Sequence, residues 1–127
     1  MALYGIKVVP AAWEHSMPLP LSKAEHESGT IEQGTRILIY RAGEGIIGEG
    51  EVHAFAIQPS EWTPQTTENL PPELAQADYL QPIGLLYTRD DAIVPKDVQA
   101  ALGDDQPLND WQTISREVYE QLANWPY

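Results

Sequence analysis

The pattern of apolar and polar residues predicts β-strands in three segments of the first half of the chain. Residues 3–9, LYGIKVV, are β-branched and aromatic and end at Pro10, which favours a first strand. RILIYR at residues 36–41 predicts a second strand. In residues 46–57, IIGEGEVHAFAI, small or apolar residues occupy every even position, and a period of two is typical of a strand.

The third segment overlaps GEGIIG, residues 43–48, which has the form G-x-G-x-x-G. That motif marks a dinucleotide-binding loop when a strand precedes it and a helix follows it. A helix beginning here would carry three glycines in its first turns, each costing roughly 1 kcal/mol relative to alanine. Glu44, Glu49 and Glu51 would also repel a pyrophosphate. The pattern therefore predicts a hairpin turn at RAGEG and excludes a Rossmann site.

The second half of the chain is predicted to alternate between strands and helices. Residues 59–78 are rich in Pro, Thr and Glu and predict a long connection. YLQPIGLLYT, residues 79–88, predicts a strand that Pro82 interrupts. VPKDVQAALGDD predicts a helix with Pro95 in its first turn and Gly103 at its C-terminal cap.

Shorter signals complete the prediction. WQTI, residues 111–114, predicts a short strand, and the last helix is expected to begin near Ser115. SKAE, residues 22–25, fits a capping box at the start of a short helix. Glycine and alanine on the even face of the third strand allow a neighbouring backbone to come close, which is typical of a strongly curved sheet or a small barrel.

Composition narrows the class of protein. A chain of 127 residues with 43% hydrophobic residues is expected to form one soluble domain over residues 1–127. No apolar run approaches the roughly 18 residues of a membrane span, and the first residues lack the features of a signal peptide. Cysteine is absent, which excludes disulfide and thiolate chemistry and leads us to expect a cytoplasmic protein.

Charge constrains the partners. The formal net charge is −12, from 19 acidic and 7 basic residues. An acidic surface repels phosphate backbones and anionic lipids at long range. Any binding of nucleic acid is therefore expected to depend on a local pocket rather than on a basic face.

The order of predicted elements resembles the PUA-like superfamily, and more narrowly its EVE domain, which is close to the YTH domain. LYGIKVVPAAWEHS resembles the first strand and turn of that family, and IEQGTRILIYRAGEGIIGEGEV (residues 31–52) resembles its hairpin. YLQPIGLLYTRDDAIVPKDVQAAL and WQTISREVYEQL resemble its later strand and closing helix. The resemblance implies an α+β fold, a small curved β-barrel of about five to six strands with flanking short helices.

It also implies a function, because EVE and YTH domains are readers rather than catalysts. Their pocket takes a single, often modified base between aromatic residues. Carried over by position, Trp13 and Ser16 are expected in the turn after the first strand, and Tyr40 and Arg41 at the hairpin. Trp62 in the long loop is a further candidate for a cage wall.

Trp13 and Arg41 also have a structural alternative. A stacked base is worth about 1–3 kcal/mol, yet Trp13 could instead close one end of the barrel. Tyr40 and Arg41 are neighbours on a strand and face opposite sides, so only one can enter a given pocket. Arg41 could bind a base edge or a phosphate, or it could pair with Glu44 at the surface.

Other polar residues give weaker signals. Glu49, Glu51 and His53 lie on one face of the predicted strand, where they could perform acid–base chemistry or bind a metal. The same pattern is typical of a solvent-facing strand, and no nucleophile or further ligand is spaced to join them. Arg89 beside two aspartates is expected in a solvated turn. We therefore expect no catalytic residue, no metal site and no cofactor.

Three functions remain open. The first is a binding module for a modified nucleobase, in single-stranded or flipped-out RNA or DNA, or for a nucleotide-like ligand. The second is a protein-interaction role in which the acidic surface recruits a basic protein. The third is a hydrolase, because the related ASCH branch of the superfamily includes hydrolases, and a buried Glu49 or Glu51 facing a pocket would support it.

Overall fold

The computed structural model describes residues 3–15, 17–28, 31–61, 71–103, 108 and 110–126. Within these residues the chain forms seven strands and four short α-helices, joined by turns and by a single 3₁₀ turn at Pro59–Glu61. In chain order the elements are β1 (Tyr4–Val9), β2 (Leu19–Leu21), α1 (Lys23–Glu27), β3 (Arg36–Arg41), β4 (Gly45–Val52), α2 (Pro72–Ala75), β5 (Tyr79–Gln81), β6 (Ile83–Ile93), α3 (Pro95–Leu102), β7 (Trp111–Ile114) and α4 (Arg116–Ala123).

Five of the strands form the main sheet, in the order β6-β4-β3-β1-β7. β1 and β3 run parallel, and every other neighbouring pair in this sheet is antiparallel. Because parallel strands end at the same edge, the turn after β1 lies beside the hairpin after β3. A backbone hydrogen bond of 2.9 Å from Ala42 to the carbonyl of Val9 joins the two. β2 and β5 form a separate antiparallel pair.

The hairpin prediction is confirmed. β3 and β4 pair across a tight turn in which Gly43 and Gly45 have φ angles of 81° and 114°, a region that favours glycine. Gly48 continues into β4 rather than into a helix, so no helix N-terminus is present there to bind a pyrophosphate. The strand ends at Val52, earlier than the pattern through residue 57 predicted.

Close backbone approach on the small face of β4 is also confirmed. The register of β4 with β6 shifts twice, between Ile46 and Gly48 and between Glu49 and Gly50. A Cβ atom added at Gly48 would lie 2.6 Å from the carbonyl oxygen of Tyr87. The absence of a side chain at Gly48 therefore lets β6 follow the irregular course of β4.

Alternate residues of the central strands point into two cores, one on each face of the main sheet. Ile37 and Ile39 belong to the first core, which also contains residues of β2, α2 and β5, and Leu38 belongs to the second, which α3 and α4 cover. The buried members of the first core are Val9, Trp13, Leu19, Ile37, Ile39, Ile47, Val52, Leu74 and Leu80. Those of the second are Ile6, Leu38, Ile46, Ile93, Val98, Ile114 and Leu122.

The predicted helix ends agree with the structure. Ser22 and Glu25 form a reciprocal capping box at α1, and the side chain of Ser115 accepts a hydrogen bond from the backbone of Val118 at the start of α4. Gly103 ends α3 with a φ angle of 69°. Among the described residues, no helix is both long and apolar enough to cross a membrane.

Candidate ligand-binding cleft

A lysine is buried in the middle of β1. Only 4% of the Lys7 side chain is exposed, and its ammonium nitrogen lies 3.0 Å from each carboxylate oxygen of Glu25 on α1. Removing two charges from water is expensive even when they pair. A buried pair of this kind is therefore a candidate functional site.

Local structure fixes Glu25 independently of the lysine. The backbone N–H of Ser22 donates to Glu25 Oε1 at 2.8 Å, and the backbone N–H of Glu25 donates to Ser22 Oγ at 3.1 Å. One residue further, the backbone N–H of Lys23 donates to Asp78 Oδ2 at 2.9 Å. The capping box thus positions the carboxylate, and Asp78 ties α1 to the segment that precedes β5.

The pair borders a cleft of about 440 Å³ at the end of β1, which we call the Lys7 cleft. Apolar groups of β1, β2 and the hairpin form much of its wall, and three acidic residues join them. The apolar residues are Val8, Val9, Pro10, Pro20, Leu21, Ala42 and Ala77, and the acidic residues other than Glu25 are Glu73, Asp78 and Asp110.

The cleft offers a hydrogen-bond donor to a ligand. An ammonium group carries three N–H donors, and within the described residues the ammonium of Lys7 bonds only to the two oxygens of Glu25. At least one N–H therefore remains for a carbonyl oxygen or ring nitrogen that enters the cleft. Apolar walls with a few fixed polar groups are typical of small-ligand sites.

Trp13 lies in the first core instead of at a surface. Its side chain is 0% exposed, and its indole N–H donates to the carbonyl of Pro18 at 2.9 Å. The ring of His15 meets it edge-on, with centroids 5.9 Å apart. No face of the indole is open in this structure, so the binding role of Trp13 stays a prediction that requires its neighbours to move.

Tyr40 and Arg41 face opposite sides of β3, as their spacing predicted. Tyr40 packs against the second core, where burial raises its pKa. Arg41 Nη1 bonds Glu44 Oε2 at 2.8 Å, and its buried Nε has no partner within the described residues. Arg41 and His15 line a second cleft, of about 480 Å³, beside the hairpin. Neither Tyr40 nor Arg41 lines the Lys7 cleft, and their binding roles stay predictions.

Ser16 and Trp62 lie outside the described residues. Their predicted roles in binding are therefore untested by this structure. No aromatic ring lines the Lys7 cleft within the described part of the chain.

Glu49 is buried, and the interpretation of its strand face as solvent-facing is wrong at this position. It is 1% exposed and accepts a hydrogen bond of 2.5 Å from the Tyr119 hydroxyl of α4, while Arg36 Nη1 lies 3.7 Å away. Glu51 is partly exposed and His53 largely exposed, so the three residues do not share one environment. In the residues described, no group of three or more His, Asp or Glu side chains could hold a metal.

The two tyrosines beside Glu49, Tyr87 and Tyr119, have raised pKa values. Burial, reinforced by Glu49, raises the pKa of Tyr119 to about 12. Burial and Glu49 also raise the pKa of Tyr87 above its ordinary value. Both hydroxyls therefore stay protonated at neutral pH and can donate to the carboxylate.

The expectation that Arg89 lies in a solvated turn is also wrong. The residue is only 8% exposed. Its guanidinium donates to the carbonyl oxygens of Trp125 at 2.9 Å and Pro126 at 3.1 Å, and its Nε donates to that of Asp91 at 3.0 Å. Arg89 therefore fixes the segment after α4 against β6.

Sequence reasoning missed Lys7 and Glu25 as candidate site residues. The available signal was a single lysine within the otherwise apolar YGIKVV, since a charge inside a core strand requires a partner. Glu25 was identified only as a capping residue, and its second role depends on the contact of α1 with β1.

No family model matches the sequence. No curated protein matches it either. Solved structures do match. The protein Rpa0253 from Rhodopseudomonas palustris gives a TM-score of 0.59 at 15% identity, over 95% of this chain and 90% of that one. The protein Atu2648 from Agrobacterium tumefaciens gives a TM-score of 0.56 at 18% identity, over 95% of this chain and 90% of that one.

An ASCH protein from Zymomonas mobilis gives a TM-score of 0.52 at 11% identity, over 96% of this chain and 94% of that one. At such low identity these likenesses concern the fold alone. The chain therefore has an α+β, PUA-like fold similar to that of the ASCH protein. The predicted fold class is confirmed, and the narrower EVE assignment stays a prediction.

Proposed function

We propose that this protein is a non-catalytic binding module that takes a single nucleobase into the Lys7 cleft, from single-stranded or flipped-out nucleic acid. The observation that carries the proposal is the buried Lys7–Glu25 pair, which keeps a free N–H donor beside an apolar wall. A cleft of about 440 Å³ is within the range of about 300–1,000 Å³ of small-ligand sites. The resemblance to EVE domains supports the same class of ligand.

The polar groups of the cleft match the edge of a base. Lys7 can donate to an exocyclic carbonyl or a ring nitrogen, and Glu25 can accept from an amino group. Pro10, Pro20 and Leu21 provide apolar surface for the ring faces. A methyl group on the base adds about 0.8 kcal/mol when buried, so discrimination between modified and unmodified bases depends on these hydrogen bonds as well as on shape.

Trp13 and Arg41, two of the predicted residues, lie at the same end of the sheet as the Lys7 cleft. Val9 and Ala42 line the Lys7 cleft, and Arg41 pairs with Val9 across β1 and β3. Trp13 follows in the turn after β1. We propose that Trp13 and Arg41 shape this end of the sheet, with Arg41 near enough to meet a phosphate of the same strand.

A hydrolase is favoured less. Glu49, the buried carboxylate, is enclosed by Tyr119 and Arg36 and does not line the Lys7 cleft. Ser22 Oγ already accepts a hydrogen bond in the capping box, and Lys7 is paired with a carboxylate and so acts as a donor. These contacts support binding rather than bond cleavage.

A basic protein is the second candidate partner. Glu73, Asp78 and Asp110 line the Lys7 cleft, in a chain of net charge −12. These carboxylates favour a lysine or arginine side chain over a phosphate.

Equilibrium binding to short oligonucleotides tests the proposal. The panel contains matched RNA and DNA strands with an unmodified base, 5-methylcytosine, 5-hydroxymethylcytosine or N6-methyladenine, at low and moderate salt. We expect saturable binding to one member, lost in Lys7→Met/Glu25→Gln, which removes both charges together. Lys23→Met is the matched control, because Lys23 is exposed on α1, the helix that carries Glu25. This substitution should leave the affinity unchanged.

Two outcomes would contradict the proposal. One is that no oligonucleotide of the panel binds at low salt, where electrostatic attraction is least screened. The other is unchanged affinity in the Lys7/Glu25 double variant while its circular dichroism spectrum is native. In the first case, binding to a lysine-rich and arginine-rich peptide would distinguish the basic-protein alternative.

A further inference from the structure

Phe55 is the most exposed large apolar side chain in the described part of the chain. Its side chain is 89% exposed, although burying a phenylalanine is worth about 1.5–3 kcal/mol to a fold. It lies just after β4 and borders a pocket of about 300 Å³, which we call the Phe55 pocket. Ile31, Val52 and Ala56 contribute apolar surface there, and His26 and Gln81 contribute polar groups.

The backbone that presents Phe55 is held in place on two sides. Gln33 Nε2 donates to the carbonyl of His53 at 3.1 Å. Gln81 Nε2, from the β5 side, donates to the carbonyl of Ala54 at 2.8 Å. The two residues that precede Phe55 are therefore fixed, and so is the backbone from which the exposed ring extends.

The Phe55 pocket and the Lys7 cleft lie on two sides of one short helix. Glu25 lines the cleft and His26, the next residue of α1, lines the pocket. Consecutive helical residues point about 100° apart, and a helix with its side chains is about 10 Å across. The ring of His26 stacks on Tyr79 at a centroid distance of 4.0 Å, which fixes the side of α1 that faces the pocket.

We infer that the Phe55 pocket holds a neighbouring base of the same strand whose recognised base enters the Lys7 cleft. This inference rests on the proposed function and makes the ligand a single-stranded segment rather than a free nucleotide. The bare aromatic ring supplies a stacking surface, and stacking accepts any base because every base has a π face. Sequence selectivity therefore belongs to the Lys7 cleft, and the Phe55 pocket adds affinity.

Charge favours a base over a phosphate in this pocket. Glu32 lines it, and Glu51, which also pairs with Arg36 at 3.5 Å, lies 3.7 Å from the imidazole of His53, another lining residue. Two carboxylates so near would repel a phosphate. The neighbouring nucleotide is therefore expected to insert its ring and to leave its phosphates in solvent.

Strands with and without flanking bases test this inference. The probes are five-nucleotide strands that carry, at the centre, the base bound best in the oligonucleotide panel. The two flanking positions on each side carry either ordinary nucleotides or abasic nucleotides, so that the number of phosphates is equal. We expect the native protein to bind the ordinary strand about tenfold more tightly, as one stacked base provides.

Phe55→Ala should bind both strands with the affinity that the native protein has for the abasic one, and Phe55→Trp should restore the difference. Leu86→Ala is the matched control, because Leu86 is 41% exposed on β6 and lies outside the Phe55 pocket. Equal binding of the two strands by the native protein, or an unchanged preference in Phe55→Ala, would overturn the inference.

Two further results separate this inference from the proposed function. If neither strand binds, the proposed function itself fails and the inference with it. If Phe55→Ala lowers the melting temperature strongly, Phe55 is packed within the fold and the inference fails, while binding in the Lys7 cleft stands.

Discussion

Glu49 illustrates how one buried charge is accommodated at the scale of single residues. It is buried on the face of β4 that α4 covers, and it accepts a hydrogen bond from Tyr119, which also stacks on Tyr4 at a centroid distance of 4.2 Å. Arg36 lies at the exposed side of the group. The carboxylate thus adds a hydrogen bond between α4 and the sheet to the apolar packing of Leu122 in the second core.

Replacing Tyr119 with phenylalanine should destabilise the protein by about 1–3 kcal/mol, because it removes one hydrogen-bond donor from a buried carboxylate. Urea denaturation of the variant measures this cost. Tyr4→Phe is the control, since it keeps the stacked ring, and it should change the free energy of unfolding by less than about 0.5 kcal/mol. Equal stability of Tyr119→Phe and the native protein would contradict the assigned hydrogen bond.

Alkaline pH should weaken the fold through the same residue. Burial and Glu49 raise the pKa of Tyr119 from 10.0 to about 12. Between these values the unfolded chain has released the proton and the folded chain still holds it. The stability is thus fully present below about pH 10 and is lost as the pH rises through 12.

Denaturation curves from pH 9 to 12 measure this loss. Tyr119→Phe should show a shallower decline than the native protein. Tyr40 and Tyr87, whose pKa values are also raised, account for part of the decline that remains. Identical slopes in the two proteins would show that Tyr119 titrates alike in the folded and unfolded chains.

At the scale of elements, the capping box of α1 does two things. It caps the N-terminal start of the helix, and it positions the Glu25 carboxylate that pairs with Lys7. Ser22→Ala should cost about 1 kcal/mol of stability and should also weaken ligand binding several-fold. Urea denaturation and calorimetric titration measure the two effects.

Ser115→Ala is the matched control for that variant. It removes the cap of α4, a hydrogen bond of 3.2 Å from the backbone of Val118, and should cost similar stability. Because α4 does not border the Lys7 cleft, the Ser115→Ala variant should bind the ligand with the affinity of the native protein. Loss of binding in both variants would show that general destabilisation, and not the position of Glu25, is responsible.

Gly48 tests the close contact of β4 with β6. An alanine there would place its Cβ about 2.6 Å from the carbonyl oxygen of Tyr87, so a strand must shift at a cost of about 1–3 kcal/mol. Gly43→Asn is the control, since Gly43 has open space around it and asparagine tolerates a positive φ. A thermal melt of Gly48→Ala equal to that of the native protein would contradict the contact.

The elements could be predicted from the sequence because their signals are local. β3 and β7 have the predicted bounds, and α3 ends at the predicted glycine. The site was harder to predict because its contacts join distant segments. Lys7 meets Glu25 across 18 positions, and Glu49 meets Tyr119 across 70. Alternation along β4 could not show that a helix covers Glu49.

At the scale of the whole molecule, the charge distribution limits how the proposed nucleic-acid ligand can bind. Seven basic residues oppose 19 acidic ones, and of the basic residues Lys7, Arg36, Arg41 and Arg116 are already paired with carboxylates. Arg41 would have to exchange Glu44 for a phosphate, and few other cations remain to neutralise one. The proposed ligand is therefore recognised through its bases.

Affinity for an oligonucleotide should consequently depend weakly on salt. Each neutralised phosphate of a single strand contributes a slope of about −0.7 to a plot of log K against log salt concentration. We expect a total slope between 0 and about −1.5, which corresponds to the neutralisation of at most about two phosphates. Binding titrations at salt concentrations from roughly 20 to 300 mM measure this slope. A slope steeper than about −4 would show that phosphates dominate.

The position of β1 has a consequence for how the chain acquires its structure. β1 pairs on one side with β3 and on the other with β7, so that Tyr4 lies opposite Ile114. Contacts between segments so far apart in sequence slow folding, because a long loop must close before they form. During synthesis on the ribosome, one edge of β1 stays unpaired until β7 has emerged. An apolar strand with a bare edge is prone to aggregate, and the protein is therefore most vulnerable just before its last strand is made.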